Sequence, residues 1–308
     1  MSFRREPRFL RSDGKPSFSS RKYVRESELE AVMRRDIVTT AKTTPIRLCA
    51  KKMAESGFRR LPVTAEGRRL VGIVTATDIV NYLGGGEYHE IVKTRHKGNV
   101  FSALEEPVSS IMTRGVIKAV YEETIASVVK KMIKFNVGGV PIVTRDDVLV
   151  GMVTERDVLR LLEDCLPDLL VKDVMTTNVI TISIDSSLLE LAKKIVTHGV
   201  RRLPVLADNR VVGVVSSMDI VRYIASSEPF RHIVIGLVEE IMQARVADIA
   251  SPSVISVRPE DRLSEVYKVM IERDVGFLVV MRGRELKGVI SERDILLRAW
   301  EETGEKSQ

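Results

Sequence analysis

GMVTERDVL at residues 151–159 and GVISERDIL at residues 288–296 are nearly one phrase written twice in a chain of 308 residues. Looser copies, GIVTATDIV from Gly72 and GVVSSMDIV from Gly213, bring the occurrences to four. Each copy is an apolar run that stops at Thr or Ser, passes two residues, places an Asp and resumes. The pairs are Thr75 with Asp78, Thr154 with Asp157, Ser216 with Asp219, and Ser291 with Asp294. A hydroxyl three residues ahead of an acid, before an apolar run, is the signature of a helix capping box. The phrase therefore reads as a strand that turns directly into a helix.

Upstream of each phrase lies a helical pattern. Apolar residues recur at Ile46, Cys49, Ala50, Met53, at Ile125, Val128, Val129, Met132, Ile133, at Leu188, Leu191, Ala192, Ile195, Val196, and at Leu263, Val266, Tyr267, Met270, Ile271. This i, i+3, i+4, i+7 spacing gives each helix one buried face. Gly57, Asn136, Gly199 and Asp274 follow, all tolerant of the left-handed backbone that closes a helix. Next come LPV, VPIV, LPV and LVV, with Pro62, Pro141, Pro204 and Val279 at matching places, then a short polar turn and the phrase. Strand, turn, strand is the natural reading. A further strand is expected ahead of each helix, around IVTT, VIKAV, VITIS and VISV.

The repeating unit is thus β-α-β-β-α, about 55 residues long and too small to stand well alone, so pairing is expected within an α+β fold. The expected divisions are a basic arm at 1–25, repeat one at 26–86, a linker and repeat two at 87–166, repeat three at 167–227, a linker and repeat four at 228–302, and a tail at 303–308. The insertions GGGEYHEIVKTRHKGNVFSALEEP and SEPFRHIVIGLVEEIMQARV join repeats one to two and three to four; both look partly helical and are expected to run beside each pair. The glycines from Gly84 read as a hinge.

An apolar content of 44% allows substantial cores. No run of about 18 apolar residues is present, so no membrane crossing is expected, and without a secretory apolar core at the N-terminus a cytoplasmic location follows. Cys49 and Cys165 fall on apolar helix faces as reduced core residues. The histidines at 89, 96, 198 and 232 have no ligand spacing with Cys, Asp or Glu, so no metal site is expected. Residues 1–25 carry eight basic side chains against two acidic ones, an excess equal to the whole chain's net charge of +6. The basic balance describes this arm, which reads as disordered. Contact with nucleic acid through the arm is the sharper alternative.

The co-occurring landmarks, together with IMT from Ile111 and VMT from Val174, resemble the cystathionine-beta-synthase (CBS) domain family in four copies over roughly residues 26–302. The resemblance implies tandem pairs called Bateman modules. Four copies resemble the gamma regulatory subunit of AMP-activated protein kinase, where two modules form a flat disk with nucleotide clefts facing its centre. By that resemblance Asp78, Asp157, Asp219 and Asp294 accept hydrogen bonds from ribose hydroxyls, and Thr75, Thr154, Ser216 and Ser291 also touch the nucleotide. Capping and ligand contact coexist, because a capping hydroxyl can also face a ligand, and a helix N-terminus favours phosphate.

Arg59 and Arg60 precede Leu61-Pro62, and Arg201 and Arg202 precede Leu203-Pro204, whereas Gly138-Gly139 and Gly276-Phe277 hold the matching places. These pairs look like the His-Arg of the kinase subunit that reaches the phosphates; the plain alternative is solvated charge at a strand start. Arg156 and Arg293 stand immediately before the Asp where repeats one and three have Thr77 and Met218. Each pair of repeats is therefore expected to combine an arginine pair with an ERD arginine in a shared, asymmetric phosphate pocket. The adenine slot of the resembled family maps to Val38, Ile117, Ile180 and Ile255, with hydroxyl contacts from Thr113 or Thr176; Arg34 and Ser251 stand at that position in repeats one and four.

No nucleophile-base pair or Walker-type glycine loop is present, which points to binding rather than catalysis and to no catalytic cofactor. The expected protein binds AMP, ADP or ATP, senses the adenylate state and signals to a protein partner, as a monomeric disk or a homodimer. Two alternatives are a nucleic-acid-associated scaffold using the basic arm and an S-adenosylmethionine-binding CBS protein. S-adenosylmethionine carries no phosphate and would leave the arginines without a purpose.

Overall fold

In the computed structural model, residues 28–163, 166–231 and 233–304 are described. The expectations for the arm at 1–25, Cys165, His232 and the end of the tail lie outside them. Repeat one runs β1 (Thr40–Ala41), α1 (Ile46–Ser56), β2 (Arg60–Thr64), β3 (Leu70–Thr75) and α2 (Ala76–Val80), extended by a wide turn at Asn81–Gly85. After α3 (His89–His96) and α4 (Val100–Leu104), repeat two runs β4 (Ala119–Val120), α5 (Ile125–Lys134), β5 (Gly139–Val143), β6 (Leu149–Thr154) and α6 (Glu155–Leu162). Repeat three contains β7 (Ile182–Ser183), α7 (Leu188–His198), β8 (Arg202–Ala207), β9 (Arg210–Ser216) and α8 (Ser217–Ala225). Following α9 (Val238–Met242), repeat four contains β10 (Ser256–Val257), α10 (Leu263–Glu272), β11 (Phe277–Arg282), β12 (Glu285–Ser291) and α11 (Glu292–Gly304). Each repeat forms its own three-stranded sheet, the first strand parallel to the second and the second antiparallel to the third. The helix between the first two strands is the crossover a parallel pair requires.

The four helix stops are as expected. Gly57, Asn136, Gly199 and Asp274 take φ of 71°, 53°, 63° and 50°. The first strands are shorter than expected, two residues each, because the chain just ahead of them pairs elsewhere. Arg34 bridges Met152 of repeat two, and Thr113 bridges Ile73 of repeat one; Thr176 bridges Val289 of repeat four, and Ser251 bridges Val214 of repeat three. Repeats one and two thus exchange lead-in segments, as do three and four.

This exchange explains two residues of the repeat. Proline is normally excluded from a central strand because it lacks a ladder donor. Pro62 faces Ile73, whose N–H and carbonyl both go to Thr113 at 2.9 Å. Pro141 faces Met152 and Pro204 faces Val214, each committed in the same way to Arg34 and Ser251. Repeat four has Val279 there, facing Val289, which Thr176 commits in the same way, and the Val279 N–H turns to the first-strand side, donating to the Ile255 carbonyl at 3.2 Å. The glycine that opens each phrase sits where the exchanged segment crosses. A Cβ at Gly213 would lie 2.7 Å from the Ser251 carbonyl oxygen, and one at Gly288 2.8 Å from that of Thr176.

The chain divides into two compact units. Of the described residues, one gathers those within Val38–Val116 and Asn178–Val254, the other those up to Ile37, within Ile117–Thr177 and from Ile255 onward. Repeats one and three therefore share one core, and repeats two and four the other. In the first unit α1 packs on α8, and the Asn81–Gly85 turn packs on α7. Gly84 and Gly85 are buried there, a Cβ at Gly84 falling 2.6 Å from Leu189 Cδ1 and one at Gly85 2.8 Å from the Ala192 carbonyl oxygen. The expected hinge is instead a close-packed helix crossing. Both insertions also belong to this unit, where Asn99 bridges Leu237 and Val100 N–H donates to the Gly236 carbonyl. They meet each other rather than serving one pair apiece. In the second unit α6 packs on α11. No helix among the described residues is long and apolar enough to cross a membrane. Cys49 is a buried free thiol, pushed up to about 12 by burial.

Candidate functional site

Each phrase folds into the capping box its spacing demands. Thr75 donates its N–H and hydroxyl to Asp78 Oδ2 at 2.7 and 2.8 Å. The same pair of contacts ties Thr154 to Asp157 (2.9 and 2.5 Å), Ser216 to Asp219 (2.8 and 2.7 Å) and Ser291 to Asp294 (2.8 and 2.6 Å). The shorter Asp side chain is drawn against its own cap, consuming Oδ2 and leaving Oδ1 as the only oxygen for other work.

That second oxygen separates the four copies. Asp157 Oδ1 accepts from Arg34 Nε at 2.9 Å, and Asp219 Oδ1 accepts from Arg222, three residues on in α8, at 2.9 Å. Oδ1 of Asp78 and of Asp294 accepts no hydrogen bond from a described residue. Burial raises the pKa of both these carboxyls, opposed by the hydroxyl and N–H of Thr75 in one and of Ser291 in the other. Each is a half-buried carboxylate whose second oxygen accepts from no described residue, an arrangement favourable for a hydroxyl donor.

The exchange of lead-in segments also sorts the residues around these carboxylates. Thr113 crosses the phrase strand two residues before Thr75, and Thr176 crosses two residues before Ser291. The two clefts with an open Asp oxygen are the two with a threonine crossing them. Arg34 and Ser251 cross the Asp157 and Asp219 clefts. The expected hydroxyl position therefore lies beside the partner repeat's phrase, not its own. The apolar residues stay with their own repeats: Val38 and Ile180 lie against the core of the unit holding Asp78 and Asp219, Ile255 against the core of the unit holding Asp294, and Ile117 falls in the unit of Asp157. All four are half-buried.

Arg60 pairs in register with Thr75, and the Arg59 carbonyl accepts the Ala76 N–H at the start of α2. Arg202 and Arg201 stand likewise beside Ser216 and Ser217. Both arginine pairs belong to one unit and both ERD arginines to the other, so neither unit by itself assembles the combination expected from sequence. Arg156 is ion-paired to Glu292 and Asp274, while Arg293 donates to Glu155 at 2.5 Å and to Asn136. Glu155 and Glu292, the E of each ERD, are both 3% exposed. Sequence reading missed these glutamates, although two buried-helix starts sharing one ERD spelling were the available signal. The Glu292 carboxylate also lies against Gly276, where a Cβ would come within 2.5 Å of it, in the place that repeat three gives to Arg201. Among the described residues no group of three His, Cys, Asp or Glu could hold a metal ion.

Comparison with known proteins bears on the repeat itself. The CBS domain profile matches residues 28–85, 108–164, 171–226 and 246–301. Protein MJ1225 of Methanocaldococcus jannaschii is 35% identical over 271 residues, which span 87% of this chain and 97% of that protein. Its crystal structure, described as that of a candidate archaeal homolog of g-AMPK, aligns at a TM-score of 0.83 with 34% identity, covering 87% of this chain and 98% of that one. An uncharacterized 33.4 kDa protein from the ribosomal RNA operon of Thermofilum pendens is 27% identical over 80% of this chain and 82% of its own length. A conserved Pyrococcus horikoshii protein shares the fold at a TM-score of 0.55 and 20% identity, covering 88% of this chain and 99% of that one. With four profile matches on the four phrase-bearing repeats, the chain belongs to the CBS domain family.

Proposed function

We propose that the protein is a regulatory binder of adenosine-containing ligands, that AMP, ADP or ATP occupies the Asp78 cleft, and that occupancy is signalled to a protein partner. The observation that carries this reading is the open Oδ1 of Asp78, held half-buried by its own cap and crossed by Thr113. A ribose diol supplies two donors to one carboxylate, and hydrogen bonds to a charged acceptor contribute about 1.5–3 kcal/mol each. Arg59 and Arg60 stand beside Thr75, where guanidinium can grip phosphate. Val38 supplies the apolar wall for adenine. Arg201 and Arg202 play the same part for the Asp219 cleft, whose carboxylate Arg222 half-covers. Arg156 and Arg293 act on phosphate only by leaving their ion pairs.

The Asp294 cleft favours a second ligand class. Its Oδ1 is open, Thr176 crosses it and Ile255 lies in its unit, but Gly276 and Phe277 replace the arginine pair and the Glu292 carboxylate occupies that corner. A ligand without phosphate, adenosine or S-adenosylmethionine, suits it better. A thermal-shift panel with AMP, ADP, ATP, adenosine and S-adenosylmethionine tests both readings, since a ligand that binds the native state must raise its melting temperature. Stabilisation by AMP and ATP that is lost in R59A/R60A supports the first, and stabilisation by none of the five removes the proposal.

A further inference from the structure

Three of the four phrase aspartates are only half-buried, but Asp157 is 6% exposed. Arg34 is the cause. Its N–H and carbonyl are pinned to Met152 at 2.9 and 3.0 Å, and from that anchor its Nε reaches Asp157 Oδ1 at 2.9 Å. At the same register the other clefts are crossed by Thr113, Thr176 and Ser251, whose side chains are short and end in a hydroxyl.

We infer that Arg34 is a built-in stopper of the Asp157 cleft, an arginine of the exchanged lead-in segment that takes the place a ribose diol would take. This rests on the reading of the phrase aspartates as ribose acceptors. The guanidinium already satisfies the one oxygen the cap leaves over, and it adds its own positive charge to a bond that a ribose hydroxyl would make with the carboxylate's charge alone. A nucleoside must break that bond and leave the arginine without its carboxylate, so it binds elsewhere first. Arg222 does not close its cleft in the same way. It lies on the same helix as Asp219, its side chain is 54% exposed against 42% for Arg34, and the carboxylate it meets is left 19% exposed where that of Asp157 is 5%. The four clefts therefore fall into two open ones, one loosely covered and one stoppered, although their phrases are spelled almost alike.

The test is calorimetric titration of the full chain with AMP, comparing wild type with R34T, which installs the side chain of the two open clefts. R34T gains one binding site over wild type, the gain disappears in R34T/D157N, and D157N alone leaves the wild-type site number unchanged. R34Q keeps the aliphatic stem over Asp157 and gains the same site at lower affinity, which preserves the measurement should R34T fold poorly. An unchanged site number in both R34T and R34Q overturns the inference. Loss of a site also overturns it and makes Arg34 a phosphate ligand instead. Absence of AMP binding in wild type and variants alike is a different outcome, which defeats the nucleotide reading itself and the stopper with it.

Discussion

Asp78 and Asp294 each commit one carboxylate oxygen to a cap and hold the other ready, and burial keeps both carboxyls above the ordinary carboxylate range. The folded chain then binds more protons than the unfolded chain between the ordinary and the raised value, so this contribution to stability falls as pH rises through that window. Ribose hydroxyls donate to the ionised form, so binding expels the remaining proton. Adenosine affinity is therefore expected to rise with pH across the same window and level off above it; a flat profile in calorimetry would show that neither carboxylate meets the ligand. Adenosine is the suitable probe because it has no phosphate to titrate. R59A/R60A is expected to lower AMP affinity at least tenfold, the equivalent of about 1.4 kcal/mol, and to leave adenosine unaffected. The phrase itself was legible because a cap is local chemistry. Which aspartate keeps a free oxygen was legible only in part, since Arg222 stands three residues after Asp219 in the same helix, whereas Arg34 reaches Asp157 from another repeat.

The helices were readable because their apolar period and left-handed stops lie within the element itself. The first strands were readable in place but not in length, because Arg34, Thr113, Thr176 and Ser251 just ahead of them bridge another repeat, a pairing that no local pattern encodes. The same exchange makes the glycine of each phrase a contact residue. At Gly213 the crossing atom is a backbone carbonyl, whereas at Gly151 it is the Met33 side chain, which can turn aside. G213A is expected to destabilise the protein by about 1–3 kcal/mol and G151A by less, as read from denaturant melts. Equal losses would show that the crossing segment gives way as easily as a methionine. The glycines at 84–86 misled for a related reason, since flexibility and close approach share one residue type and only the neighbouring α7 reveals which is in use.

At the scale of the whole chain, the repeats one and two places apart are bound by different means. Neighbours in sequence exchange lead-in segments, whereas repeats one and three, and two and four, share cores. In the second of these units the two ERD phrases lock reciprocally, Arg156 to Glu292 and Arg293 to Glu155. Breaking a buried pair from one side leaves an uncompensated charge, so E292A is expected to cost about 3–5 kcal/mol, and a double-mutant cycle between Glu155 and Arg293 to show strong coupling. Additive losses would reduce the clasp to two independent surface contacts. The fourfold repeat was legible from the phrase, and its family from the phrase together with the landmarks at fixed spacing around it; the grouping of the arginines was not, because it follows from which cores fuse. The direct test of ribose recognition is calorimetric titration of adenosine, which needs no phosphate partner in either cleft, into wild type, D78N and D294N. Each substitution should remove one site or weaken it at least tenfold while the cap still forms, and unchanged binding in both variants would show that these carboxylates only finish their helices.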